Sequence, residues 1–290
     1  MKPPITWYGS KQRQAQHIIP LLPEHRMYAE VFGGSAAVLF ANSPAEREFY
    51  NDLDGDIVNF FRVLRERGHE LRDSLLLTPY ARAELAEARR RIARCDDPLE
   101  RARCFFVISM QSINGKRDGG WSRCLVRNRT PAFYSAIERI ANATRRLRNV
   151  QIENQDFRKL IPALDGPDVL FYLDPPYLPD TRVSKNDYAH EMTRNDHDDL
   201  LNLVKHLKGM VVLSGYDHAI YEQGLKGWDR HEFTVSSRAT VKGVAGKTSP
   251  RTHRTEVIWR NPQAIANVPS HLRQPSKGQG SHTDTQRSFK

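Results

Sequence analysis

The sequence is poor in cysteine, in long apolar runs and, relative to base, in acid. Its three cysteines, Cys95, Cys104 and Cys124, form no C-x-x-C pair. An odd, unspaced set argues against a disulfide framework or a thiolate zinc site, and no metal is expected. They read as reduced thiols in a cytoplasmic protein. No apolar run approaches the roughly 18 residues of a membrane span. The opening Met1-Lys2-Pro3-Pro4-Ile5-Thr6-Trp7 has neither the apolar core nor the cleavage site of a signal peptide. No internal repeat breaks the chain into equal units.

What is present fits a folded chain of one large or two moderate domains, with 290 residues, 39% hydrophobic and 27% charged. Lys plus Arg number 44 against 34 Asp plus Glu, a net charge of +10. All of that excess lies in residues 62–150, which hold 20 basic residues, 19 of them Arg, and 10 acidic ones. Such a surplus favours a polyanion, because each cation beside a phosphate releases a condensed counterion. An acidic membrane is the weaker alternative, since no basic amphipathic helix stands at a terminus.

The flanking segments alternate strands and helices. Strand-like runs lie at 28–32, 48–52, 150–153, 168–173 and 210–214, with helices starting near Ser35, spanning 54–66, and running from the Thr193 cap to about Leu207. This is the pattern of an α/β fold with a largely parallel sheet. The Arg-rich block reads as inserted helices: one capped by Thr78 with Pro79 in its first turn, a second opened by Asp96 or Asp97 with Pro98, and a third over 131–148. Between the last two lies a Gly-rich loop carrying Lys116, Arg117, Trp121 and Arg123. Beyond about Asn261 the composition turns polar, and a disordered tail is expected.

The sharpest chemical feature is Asp174-Pro175-Pro176-Tyr177, directly after the apolar run Val169–Leu173. Ligands of open α/β sheets sit at the carboxyl ends of strands. There, a carboxylate and a carbonyl beside rigid prolines can accept both hydrogens of an amino group, and Tyr177 can stack on a planar base. Holding both hydrogens directs a delocalised lone pair toward an electrophile. Phe32-Gly33-Gly34-Ser35 makes a turn where backbone can approach a cofactor. Asn51-Asp52 ends the second strand, where an acid can accept ribose hydroxyls. Asp156 and Phe157 follow the third strand.

Taken together, Trp7-Tyr8-Gly9-Ser10-Lys11, Glu30-Val31-Phe32-Gly33-Gly34, Tyr50-Asn51-Asp52 and Asp174-Pro175-Pro176-Tyr177 resemble, in content and order, the Dam-like DNA adenine-N6 methyltransferases of bacteria and phages. His190–Thr193, Leu213–Tyr216 and Arg254–Trp259 resemble the same branch, so the likeness covers about residues 3–260. It implies a Rossmann-like α/β methyltransferase sheet with an inserted, mostly helical target-recognition region. It also implies S-adenosyl-L-methionine as methyl donor and double-stranded DNA as substrate.

Carried over by position, Trp7, Tyr8, Lys11, Phe32, Gly33, Gly34, Asp52, Asp156, Phe157 and Asp174 would hold the cofactor. Asp174, Pro175, Pro176 and Tyr177 would act on the base. The implied layout is a cofactor part over 1–62, the insertion over 63–149, a catalytic part over 150–262 and a tail over 263–290. Two positions depart from the pattern: Val31 stands where many relatives have Pro, and Ala36 where a second spaced glycine is common.

The basic insertion is the expected DNA surface, with Lys116, Arg117, Trp121, Arg123, Arg127 and Arg129 as contacts. Residues 236–255, which hold Arg238, Lys242, Lys247, Arg251 and Arg254 without an acid, read either as a phosphate-holding segment or as a solvated loop. Alternatives are an RNA adenine-N6 or DNA cytosine-N4 methyltransferase, a protein glutamine methyltransferase, or a catalytically silent DNA-binding relative. The cytosine enzymes more often carry Ser in place of Asp174. Neither the target sequence nor a restriction endonuclease partner is legible.

Overall fold

Short runs rich in Val, Leu, Ile, Phe and Tyr become the strands of one sheet. The computed structural model describes residues 1–123, 128–178, 190–236 and 253–267. Its strands are β1 (Met27–Glu30), β2 (Arg47–Asn51), β3 (Val150–Glu153), β4 (Val169–Leu173), β5 (Met210–Tyr216), β6 (Asp229–Ser236) and β7 (His253–Arg260). They lie in the order β3-β2-β1-β4-β5-β7-β6. The first five pair in parallel, whereas β7 runs antiparallel between β5 and β6. This is the Rossmann-like α/β sheet expected of a methyltransferase. The strand order reverses between β1 and β4, whose registers place Glu30 opposite Tyr172. That reversal opens the crevice in which doubly wound sheets bind ligands.

Alternation along the strands assigns side chains to two cores. Tyr28, Tyr50, Leu170, Tyr172, Val212 and Ile258 face one side. Ala29, Phe49, Phe171, Leu173, Leu213 and Trp259 face the other. The second side is covered by α9 (Phe157–Leu164), α10 (Arg194–Val204) and α11 (Ala219–Gly224). The first is covered by α1 (Ala15–Ile18), α2 (Ala37–Ala41) and helices that follow β2: α3 (Gly55–Glu66), α4 (Gly68–Leu76), α5 (Arg82–Ile92), α6 (Pro98–Gln111), α7 (Thr130–Glu138) and α8 (Ile140–Leu147). An aromatic chain ties the sheet to these helices: Tyr50 lies 4.7 Å from Phe61, Phe60 5.5 Å from Phe105, and Phe106 5.5 Å from Phe133. Each fully buried ring contributes on the order of 2 kcal/mol.

Caps set the helix starts where acids precede them. Asp54 caps α3, Asp97 caps α6 with Pro98 next, and Asp156 caps α9. Thr193 and Asp196 exchange bonds at the start of α10, so Asp serves where Glu or Gln is usual in a capping box.

Three expectations require correction. Thr78 is not a cap; its hydroxyl donates back to the Ser74 carbonyl, and α5 starts only at Arg82. Gln111 explains the delay, because it bonds both the Pro79 carbonyl and the Ala81 N–H and leaves Ala81 extended. The helix expected over 131–148 is broken at Arg139 into α7 and α8, with no side-chain cap to signal the break. The expected boundaries also shift. Residue 62 falls inside α3, and the segment read as tail from 263 begins within α12 (Pro262–Ala266), whose Ala264 is buried. Residues 268–290 lie outside the described residues.

Candidate active site

The ends of β1, β2, β3 and β4 and the N-terminal segment enclose a cavity of about 400 Å³. Trp7, Tyr8, Lys11, Phe32, Gly33, Gly34, Asp52, Asp156, Phe157 and Asp174, all predicted from sequence, line it together with Glu30 and Pro176. Gly34 takes φ +47°, and a Cβ there would stand 2.9 Å from Trp7 Nε1. The indole therefore rests directly on bare backbone. Ala36 adopts φ +55°, the left-handed region that favours glycine, so the missing second glycine is replaced by a strained alanine.

Hydrogen bonds fix the strand ends. The Gly34 N–H donates to Asp52 at 2.8 Å, and the Asp54 N–H donates to the other oxygen at 2.9 Å. Burial pushes the Asp52 carboxyl up to about 6, against the pull of these two donors. Asn51 ties three loops, donating to the Val31 and Gln155 carbonyls and accepting from the Gln155 N–H. Phe32 and Phe157 meet at 5.6 Å, with the Arg158 guanidinium 4.5 Å from the Phe157 ring. Glu30 is buried, accepting from Tyr28 Oη at 2.8 Å and the Leu39 N–H at 2.7 Å. Desolvation raises its carboxyl to about 8.

At the end of β4, the Lys11 ammonium donates to both Asp174 oxygens, at 2.7 and 2.8 Å. Burial, opposed by Lys11 and reinforced by Glu256, raises Asp174 to about 6. Lys11 also lies 3.5 Å from Glu256 and 4.7 Å from the centre of the Tyr177 ring. Pro175 is buried and Pro176 half-buried. Tyr177 itself is buried, packed at 4.2 Å against Tyr216, with its hydroxyl donating to Glu256. In this arrangement its ring already has Tyr216 and the Lys11 ammonium as neighbours.

Glu256 is the residue that the sequence reading missed. It is buried on β7 and accepts from Tyr177 Oη and from Ser214 Oγ at 2.8 Å. Its only sequence signal was its place in Arg254–Trp259; partner and burial come from the antiparallel pairing of β7 with β5.

The residues expected on DNA diverge. Lys116 sits 4.3 Å over the Tyr8 ring, and Arg117 is ion-paired with Asp54 and Asp56. Trp121 packs against Tyr80 at 6.0 Å and under Arg82 at 5.0 Å, so it supports the loop from within. Arg123 and Arg129 are exposed, while Arg127 and residues 237–252 lie outside the described residues. Elsewhere in the Arg-rich segment, Arg67, Arg91, Arg101, Arg103 and Arg146 are also paired with acids.

The family model of the D12 class N6 adenine-specific DNA methyltransferases matches residues 7–232. The chain belongs to this family. A DNA N-6-adenine-methyltransferase of Escherichia phage P1 is 29% identical over 220 residues, covering 71% of this chain but only 28% of the phage protein. A DNA adenine methylase of Vibrio cholerae is 24% identical over 196 residues, covering 64% of this chain and 69% of that protein. Among solved structures, the rRNA methyltransferase aviRa from Streptomyces viridochromogenes aligns over 91% of this chain and 90% of its own, with 13% identity and a TM-score of 0.38. In this D12 methyltransferase, Asp52, Asp174 and the glycine turn lie around one crevice. No helix among the described residues is long and apolar enough to cross a membrane.

Proposed function

We propose that the chain transfers the methyl group of S-adenosyl-L-methionine to the exocyclic N6 amine of an adenine in double-stranded DNA. The observation that carries the reading is the position of Asp174 and Pro176, the first and third residues of the Asp-Pro-Pro-Tyr motif at the end of β4, in one cavity with the glycine turn after β1. The cavity suits that cofactor: flat rings at Trp7, Phe32 and Phe157 offer surfaces for a base. The Asp52 and Asp174 carboxylates suit a ribose and a cationic sulfonium amino acid, with the Glu30 carboxyl beside them. Asp52 would hold the ribose, Phe32 and Phe157 the adenine end, and Lys11 with Asp174 the methionine end. When bound, the cofactor supplies an electrophilic methyl group.

The rest is the work of the chain. Asp174 and the neighbouring Pro175 carbonyl accept the two amine hydrogens. Each Asp174 oxygen retains a lone pair beyond its bond to Lys11. Positive charge developing on the amine is stabilised by that carboxylate, which then takes the departing proton at Oδ. A carboxyl near 6 suits this task, being ionised at neutral pH yet close enough to accept. The target base must leave the duplex stack, at a cost of a few kcal/mol. Aromatic contact with Tyr177, after its rearrangement, and phosphate contacts from exposed Arg123 and Arg129 offset that cost. The helices over 63–149 supply the recognition surface, and the reaction belongs in a bacterial cytoplasm.

The test is methyl transfer from labelled cofactor to unmethylated genomic DNA, followed by nucleoside analysis. N6-methyladenine, lost in Asp174→Ala with DNA affinity largely kept, is the expected result. N4-methylcytosine would overturn the base assignment. Absence of transfer to DNA would overturn the reaction, with transfer to RNA or a silent DNA-binding relative as its replacement.

A further inference from the structure

Two consecutive residues of the loop after α6, Lys116 and Arg117, contact residues that line the proposed cofactor cavity. Asn114 and Gly115 both take positive φ, 59° and 70°, and a Cβ on Gly115 would stand 2.5 Å from the Thr6 carbonyl oxygen. Ser109 Oγ donates to the same carbonyl, so the turn is pressed onto the N-terminal segment. It delivers Lys116 to the face of Tyr8, one residue beyond the indole that covers Gly34. The next residue, Arg117, is 43% exposed and turns to the start of α3. Its guanidinium donates to Asp54 at 3.1 Å and to Asp56 at 2.6 Å. Tyr8 and Asp54 both line the cavity.

The Arg117 contact leads directly to the ribose acid. Asp54 caps α3, and its own N–H donates to Asp52. Asp54 and Asp56 are two nearly buried carboxylates within one turn, and Arg101 is their other basic partner, bonded to Asp56 at 2.6 Å. Removing Arg117 leaves those carboxylates repelling each other at the base of the loop that carries Asp52. Arg89 holds the far side of the same loop, through Ser112 Oγ at 3.0 Å and the Gly119 carbonyl.

We infer that Arg117 is a positioning residue that couples the recognition loop to cofactor binding through Asp54, Asp56 and Asp52, rather than a phosphate ligand. The inference rests on the proposed cofactor site. Reciprocity then follows: cofactor and DNA raise each other's affinity by one common factor, and Arg117 transmits it.

The test uses the full chain with S-adenosylhomocysteine as probe, by calorimetry, and a DNA duplex in a salt titration. Arg117→Ala is expected to weaken probe binding about tenfold and raise the KM for the methyl donor while kcat falls less than about twofold. The slope of log affinity for DNA against log salt stays unchanged, and the mutual enhancement of probe and DNA collapses toward one. Arg117→Lys restores part of the loss, and Asp56→Asn weakens the probe in the same direction without adding to Arg117→Ala. A salt slope reduced by about one with probe affinity intact makes Arg117 a phosphate contact and overturns the inference. Unchanged probe affinity with an unchanged slope also overturns it. Failure of the unaltered chain to bind the probe removes the proposed cofactor site itself, a result distinct from either.

Discussion

Lys11 and Asp174 are 163 positions apart in the chain, yet one ammonium donates to both oxygens of the carboxylate. The pair holds the N-terminal segment on the end of β4. It also holds down the proton affinity of an acid that burial drives upward. Lys11→Met removes that counterweight, so Asp174 titrates at a higher pH. The acid limb of the kcat profile is expected to move upward toward neutrality, with a loss at pH 7 that is recovered as the pH is raised. A pH–rate series on both proteins checks this; an unmoved acid limb would separate Lys11 from Asp174.

Glu30 gives a stability prediction with a definite sign. Its carboxyl is raised from 4.5 to about 8 by burial. The folded state therefore binds more protons than the unfolded state between those values, and stability falls as pH rises through that window. Urea unfolding of the protein without cofactor should show midpoints that decline from pH 5 to pH 8. Glu30→Gln keeps an acceptor for Tyr28 and Leu39 and should flatten that dependence. It should also raise stability at pH 8 by on the order of 2 kcal/mol. Parallel curves for the two proteins would show that Glu30 is not the titrating group.

Gly34 is the position where added bulk acts most directly on cofactor affinity. A methyl group at φ +47° strains the backbone and displaces Trp7. Gly34→Ala is expected to weaken S-adenosylhomocysteine binding at least tenfold by calorimetry, with the circular dichroism spectrum unchanged. Retained affinity would mean that the indole moves aside at little cost.

Tyr177 can be divided into ring and hydroxyl. Tyr177→Phe leaves Glu256 without one donor and should cost about 1–3 kcal/mol of stability. Methyl transfer should fall only several-fold. Tyr177→Ala removes the surface offered to the base and should cost at least a hundredfold in kcat/KM. Equal kinetic losses in the two variants would assign the tyrosine's role to its hydroxyl.

The parts of the site that were legible in the sequence are those in which a strand, its terminal residue and the following turn are contiguous. Val169–Leu173 with Asp174-Pro175-Pro176-Tyr177 is one such unit; Asn51-Asp52 after β2 is another. Parallel pairing then brings such units together without further information. Glu256 escaped notice because its neighbours are set by an antiparallel strand placed between β5 and β6, and Tyr177 is 79 positions away. Arg117 was read as a phosphate ligand for a related reason. A cation on a Gly-rich loop looks the same in sequence whether it stands alone or, as here, is half-exposed and bonded to two acids 61 and 63 positions earlier. The break at Arg139 left no trace because both halves carry apolar residues at helical spacing and no capping side chain lies between them.

The aromatic chain from Tyr50 through Phe61 and Phe60 to Phe105 has a consequence for how specificity can change. Since the helices after β2 share their interior with the sheet, residues 63–149 are not an exchangeable cassette. Transplanting them into a relative would cut through α3 and leave half of an interlocked set of rings facing a foreign surface. Substitutions confined to the loop between α6 and α7 leave that set of rings in place, because its members lie on β2, α3 and α6.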